Sequence, residues 1–315
     1  MILWIVLLIV VLILAVLLVA GWKISDVMLN PKSSTPPEQW HDEEFKMYHL
    51  SWEDWNKNWH RQDFTLKSRF GYELSCSYLP RKAELVPADG RERVVVMVHG
   101  FGVDRLCGLK YANMFRDFGF NVVLYDHRNH GRSGKAPTTM GAREAQDLET
   151  VCAWAREKWG KDCLLGTHGE SMGGATVMVH SGMDHNLAFV VEDCGYSSVM
   201  KQLLHVMSKD YNFSKAMLPV SIFVACLRCG TRVDKLVPAE GVANSGNTPM
   251  LFIHGEEDDF VPFAMLQENY DAKTTGPKMK KTFPGAAHAR SFATDPAAYR
   301  ATVHDFLVHN HILSA

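Results

Sequence analysis

The chain opens on an unbroken apolar run. Residues 1–20 read MILWIVLLIVVLILAVLLVA, sixteen of them Ile, Leu or Val, and the first charge is Lys23. As a helix, residues 1–22 would be about 33 Å long, enough for a ~30 Å hydrocarbon layer. A run with no polar face predicts a membrane-spanning helix rather than a core helix. A cleaved signal peptide is the competing reading. It requires a basic residue ahead of a shorter run and a small-x-small cleavage site, whereas nothing basic precedes this run and its best site is Val19-Ala20-Gly21. The expectation is an uncleaved single-pass anchor over residues 1–22, in the cell membrane. Lys23 and Lys32 follow the run and weakly favour a cytoplasmic body, so the side of the membrane stays open.

Beyond the anchor the pattern changes three times. Residues 30–37, Asn-Pro-Lys-Ser-Ser-Thr-Pro-Pro, compose a linker. Tyr48, Trp52, Trp55 and Trp59 then recur at helical spacing, so residues 23–62 are expected to form a linker and a bracing helix whose rings pack on the body. Residues 63–80 alternate in short runs broken at Gly71, which suits a β-hairpin. From residue 94 onward, apolar runs at 94–98, 121–125, 163–166, 187–191 and 250–253 are separated by helical stretches such as 143–159. Strands apolar on both faces and separated by helices predict an α/β fold with a mostly parallel sheet. The alternation lapses at 196–248, where Met- and Phe-rich helical sequence is expected to form a cap inserted into a body spanning 63–315.

Composition narrows the function. The 315 residues are 47% apolar, and 33 Lys+Arg against 35 Asp+Glu leave a net charge of −2. Without its first twenty residues the chain is still about 43% apolar, ordinary for a globular domain. No basic run is present for phosphate contacts, so no nucleic-acid partner is expected. No Gly-x-Gly-x-x-Gly, P-loop, His-x-x-x-His or complete zinc spacing occurs, so neither cofactor nor metal is expected. Seven cysteines are scattered along the chain, and Cys226-x-x-Cys229 is a lone pair that reads as free thiols before it reads as redox or zinc chemistry. Oligomeric state has no signature here.

The chemistry concentrates in loops after the apolar runs. Gly169-Glu170-Ser171-Met172-Gly173 lies between a strand and an apolar helix, which is the context that gives Gly-x-Ser-x-Gly its meaning. A serine on so tight a turn presents Oγ above the sheet, beside the positive end of the following helix. It needs a base, and the base needs an orienting carboxylate. Asp258 and His288 follow in that order, each after a short strand, with Asp259 and Asp193 as rival acids. Two backbone N–H groups must face the developing oxyanion. His168 and Glu170 flank the elbow, Glu170 at a variable position that is expected to face partly outward. Asp126, His127, Arg128 and His130 read as a hydrogen-bonded loop in preference to a metal cluster. Met200, Met207, Phe213, Met217 and Phe223 are expected cap residues and candidate walls of an acyl pocket.

Gly-Glu-Ser-Met-Gly-Gly, the His99-Gly-Phe-Gly102 turn, the 126–133 loop Asp-His-Arg-Asn-His-Gly-Arg-Ser, Asp258-x-x-Val-Pro262 and Pro-Gly-x-x-His288 together resemble the α/β-hydrolase superfamily. The nearest likeness is to bacterial single-pass serine hydrolases near acyl esterases, monoglyceride lipases and prolyl-peptidase-like domains. It covers about residues 60–312. The resemblance implies Ser171 as nucleophile, His288 as base and then acid, and Asp258 as the triad acid, with oxyanion donors from the N–H groups of Phe101 and Met172. It also implies a carboxylic-ester hydrolase acting on a small ester. A peptidase taking a short peptide is the alternative, and would need a carboxylate such as Glu170 or Glu192 to hold the substrate amine. A silent receptor on the same fold is the reading outside catalysis.

Overall fold

In the computed structural model, which describes residues 1–31, 38–209 and 217–314, the apolar runs become one eight-stranded sheet. Its strands are β1 (Gln62–Lys67), β2 (Glu73–Leu79), β3 (Arg93–Val98), β4 (Asn121–Tyr125), β5 (Leu164–Glu170), β6 (Phe189–Asp193), β7 (Met250–Gly255) and β8 (Lys278–Phe283). The order is β1-β2-β4-β3-β5-β6-β7-β8; β2 pairs antiparallel with β1 and β4, and the remaining pairs are parallel. β3 shows why continuous apolar strands are needed. Successive side chains point to opposite faces, so Val94, Val96 and Val98 join one core while Val95 and Met97 join the other.

Helices cover both faces. α3 (Leu109–Asp117) and α11 (Pro296–His309) pack on one core, with Trp55 and Trp59. α4 (Ala142–Trp159) and α5 (Met172–Ser181) pack on the other. α9 (Ala264–Ala272) and the short α10 (Ser291–Thr294) complete the layers. The aromatic spacing at 48–59 does not lie on one helix. α2 (Glu38–Met47) ends just before Tyr48, His49 takes φ 53°, and a separate π-helical turn, Asp54–Asn58, carries Trp55. The chain reverses between them, yet Trp55 and Trp59 are still buried.

Between β6 and β7 lie α6 (Val199–Lys209), α7 (Leu218–Cys229) and α8 (Pro238–Ala243). α6 and α7 cap the sheet, but α8 belongs to the body. A Cβ on Gly241 would stand 2.3 Å from the Met178 carbonyl, so only glycine lets α8 lie this close to α5. Met217 opens α7 as its N-cap, whereas the expected cap residue Phe213 lies outside the described residues, as does most of the 30–37 linker.

The largest departure from the sequence reading concerns α1. It does not stop near residue 22 but runs from Ile2 to Leu29. Nothing in Lys-Ile-Ser-Asp-Val-Met-Leu interrupts a helix; Pro31 does, by forcing Asn30 out of helical torsions to φ −130°, ψ 88°. The last two turns are part of the globular body. The Leu29 carbonyl accepts from Thr138 N–H and Asn129 Nδ2, and Met28 and Leu29 are buried. Arg228 of α7 donates to the Trp22 carbonyl, Ser25 Oγ and Asp26, with its guanidinium 4.1 Å from the Trp22 ring centre.

Candidate active site

Ser171 caps the N-terminus of α5 at φ 59°, ψ −118°, a conformation that costs roughly 1–3 kcal/mol for a residue with a Cβ. The surroundings hold it there. Its N–H donates to the Asp193 carbonyl at 2.8 Å. A Cβ on Gly169 would fall 2.2 Å from the Gly173 carbonyl oxygen, and one on Gly173 would fall 1.9 Å from that of Val98. Both flanking glycines are therefore dictated by backbone packing, and the turn presents Oγ above the sheet.

His288 approaches from the loop after β8. Its Nε2 lies 2.9 Å from Ser171 Oγ, and its Nδ1 lies 2.7 Å from Asp258 Oδ2. Asp258 follows β7, and its Oδ1 accepts from the N–H groups of Phe260 and Val261, which fixes the carboxylate plane. Burial alone would raise this carboxyl, but hydrogen bonds and charge from His254 and His288 outweigh it and hold the group well below the usual carboxylate range. The structure thus brings Ser171, His288 and Asp258 into one line. Asp259 points away, exposed, to Lys209 Nζ at 2.5 Å. Asp193 is buried, within 3.2 Å of Tyr111 Oη and 3.3 Å of Ser291 Oγ, and supports the elbow through its carbonyl.

The turn carrying Phe101 runs directly over Ser171: a Cβ on Gly100 would stand 3.4 Å from that of Ser171. Three buried histidines hold this turn. His99 Nε2 accepts from His127 N–H, which places the ring proton on Nδ1, donated to the Gly100 carbonyl. His130 Nε2 accepts from Gly102 N–H, and its Nδ1 donates to the Arg128 carbonyl. His127 Nε2 donates to the His99 carbonyl. Burial pushes His99 down to about 3, and lowers His127 and His130 too, so the scaffold stays neutral. Asp126 accepts from Arg105 and from Arg132 N–H, so the 126–133 loop is a hydrogen-bonded brace.

Glu170 corrects an expectation. It is buried, its Oε2 2.7 Å from Lys110 Nζ and 2.5 Å from Tyr111 Oη. Burial opposes its ionisation, but Lys110 wins and keeps it a carboxylate. Glu44 lies 4.0 Å from the same ammonium. Glu192 is fully buried and accepts from Gly195 N–H. His168 is buried against Tyr299 Oη at 2.9 Å. No sequence pattern pairs Lys110 with Glu170, sixty positions apart.

Ser171 opens onto an apolar cavity of about 270 Å³. Phe101, Met172 and Phe260 line it near the serine, and the Phe260 ring lies against His288, tilted by 49°, with ring centres 4.9 Å apart. The cap contributes Leu203, Met207, Leu218 and Ile222. Met200 and Phe223, expected in this wall, instead line a separate groove between α6 and α7. The remaining wall was not anticipated: it is α1, through Ile24, Ser25, Val27 and Met28. One sequence signal does point there. Gly21, Ser25 and Met28 interrupt the Ile, Leu and Val at intervals of four and three, the spacing of a packing face. All seven cysteines are free; Cys226 Sγ lies 3.4 Å from Asp234.

Comparison with known proteins agrees with this architecture. The family described as serine aminopeptidase, S33, matches residues 89–191. The Bacillus subtilis (strain 168) protein YqkD is 32% identical over 247 residues, 78% of each chain. Human ABHD12B is 26% identical over 230 residues, 68% of this chain and 60% of its own length. The Pyrococcus furiosus esterase Pf2001 superposes with a TM-score of 0.65 at 21% identity, covering 82% of this chain and 96% of that one.

Proposed function

Because this chain belongs to the α/β-hydrolases, we propose that it is a membrane-anchored serine hydrolase that cleaves carboxylic esters with apolar acyl groups. The observation that carries the reading is the line Asp258–His288–Ser171 at the mouth of an apolar cavity. Ser171 Oγ attacks the ester carbonyl while His288 Nε2 takes its proton; Asp258 orients the ring and balances the imidazolium. The tetrahedral oxyanion accepts from the N–H groups of Phe101 and Met172, each such donor being worth ~10²–10³ in rate. Collapse breaks the bond to the alcohol, which leaves with the proton from His288, and the acyl group stays on Ser171. Water, deprotonated by His288, then releases the acid and regenerates the serine. These steps call on side chains, backbone N–H groups and water alone.

Ester is preferred over peptide for a stated reason. Among the described residues lining the cavity none is charged, and the two acidic residues that might have held a substrate amine do not line it: Glu170 pairs with Lys110, and Glu192 is fully buried. The helix α1 serves as an uncleaved anchor, a reading supported by its continuity through residue 21 into the body. Fluorophosphonate labelling of membranes tests the serine assignment: wild type should label, while Ser171→Ala should not. Persistent labelling of Ser171→Ala removes it as the nucleophile. Aryl esters of increasing chain length, run beside aminoacyl amides, test the substrate class; turnover confined to the amides reverses it.

A further inference from the structure

We propose that the cap helix α7 lies in the bilayer beside α1, and that a membrane-resident acyl ester reaches Ser171 along these two helices without leaving the leaflet. The inference rests on the ester-hydrolase reading and adds the place from which the substrate comes. Three observations carry it.

The membrane helix and the Ser171 cavity share a wall. Ile24, Val27 and Met28 line that cavity, and they lie on the same uninterrupted helix as the 1–20 apolar run. Substrate bound at Ser171 therefore touches a helix whose earlier turns contact lipid.

α7 is held at the depth of that helix. At Gly21 a Cβ would meet Val220 Cγ1 at 2.9 Å and Val224 Cγ2 at 3.3 Å, so the missing side chain lets the two helices touch. Farther out, Leu14, Leu17 and Leu18 form a groove with Pro219, Val220 and Phe223. Trp22 and Lys23 end the apolar run, as residues at a membrane–water boundary do. At 1.5 Å per residue, Leu17 lies about 8 Å inside the level of Trp22, and the start of α7 sits beside it. The other end of α7 reaches the boundary, where Arg228 pairs with Asp26 and stacks on Trp22.

The outer face of α7 suits hydrocarbon and not water. Phe223 and Leu227, one turn apart, are 58% and 67% exposed, with Leu204 of α6 beside them. Leu218 and Ile222 line the Ser171 cavity and also border the groove that holds Phe223 and Leu227, so one layer of side chains separates the two. A helix apolar on both faces belongs in a core or in lipid, and an exposed apolar stripe abutting a membrane helix marks the bilayer as its partner. α7 is thus a partition, with lipid on one side and the acyl site on the other.

Full-length protein in phospholipid vesicles tests this with two substrates, a long-chain acylglycerol dissolved in the bilayer and soluble p-nitrophenyl acetate. Phe223→Glu and Leu227→Glu face away from the Ser171 cavity. Each should cut turnover of the bilayer substrate at least tenfold and leave the acetate rate within twofold. Equal loss on both substrates, or loss on neither, overturns the proposal. Depth is read independently with Phe223→Trp: phospholipid brominated midway along its chains should quench the added emission, and unquenched emission overturns the placement of α7. Failure of the underlying reading looks different. Wild type would then hydrolyse neither ester, or Ser171→Ala would hydrolyse both, while the quenching result would still place or displace α7.

Discussion

Replacing Lys110 by Met removes the cation paired with Glu170 next to Ser171, and the cost follows from burial. The Lys110 side chain is 2% exposed, 2.7 Å from Glu170 Oε2 and 4.0 Å from Glu44 Oε1, and its ammonium lies 5.2 Å from the Tyr48 ring centre. Methionine fills the volume but leaves Glu170 buried with only the Tyr111 hydroxyl as donor. Stranding one member of a buried pair costs about 3–5 kcal/mol. At ~2–4 °C per kcal/mol for a large domain, the midpoint of unfolding should fall by roughly 6–20 °C. Glu170→Gln alone should also destabilise, because the ammonium then lacks its nearest counter-charge. Combining the two removes both charges, and the introduced amide oxygen still accepts from Tyr111. The double variant should therefore be more stable than the sum of the singles predicts, by about 2 kcal/mol or more. Thermal unfolding of the four proteins in one detergent gives the cycle. Losses that add to within ~0.5 kcal/mol would refute the claim that these residues act as a coupled pair.

Two further expectations are independent of that pair's coupling. Asp258→Asn should lower kcat by ~10³–10⁴, since it leaves His288 without its orienting anion, while Asp259→Asn should stay within about twofold, its carboxylate being exposed on Lys209; steady-state kinetics with an aryl ester decides, and the reverse ranking assigns the acid to Asp259. Glu44 is pushed up by burial to about 7, so folded protein keeps the proton where unfolded chain releases it near the ordinary glutamate value. Its contribution is full below that ordinary value and is lost as pH rises toward 7. Melting temperatures of Glu44→Gln and wild type between pH 5 and 8 should diverge in favour of the variant, and a constant gap contradicts the assignment.

Much of the site was legible along the chain because its signals are local. Gly169-x-Ser171-x-Gly173 is a constraint among five successive residues, and the two glycines are required by contacts within and just beside that turn. The strand runs announce a two-faced sheet because each alternate side chain must be apolar, and the order Ser171, Asp258, His288 follows from successive strand ends of one sheet. The interval between Tyr48 and Trp59 misled for the same local reason. Four aromatic residues at helical spacing describe one face only if the backbone stays helical, and the turn at His49 breaks it.

By itself, then, the sequence determined the α/β architecture, the strained serine turn, the order of Ser171, Asp258 and His288 along the chain, and a helix apolar enough to cross a membrane. Tertiary structure decided which of two adjacent aspartates meets His288, because the N–H groups of Phe260 and Val261 turn Asp258 inward and leave Asp259 in solvent. It also decided that Glu170 is an internal anion, through a lysine sixty residues away, and that α1 is a wall of the Ser171 cavity, through contacts with a helix two hundred residues away. The physical reason is one and the same. Periodicity and turn chemistry are written in neighbouring residues, whereas a buried charge or an apolar wall gains its role only from whichever distant segment the fold brings against it.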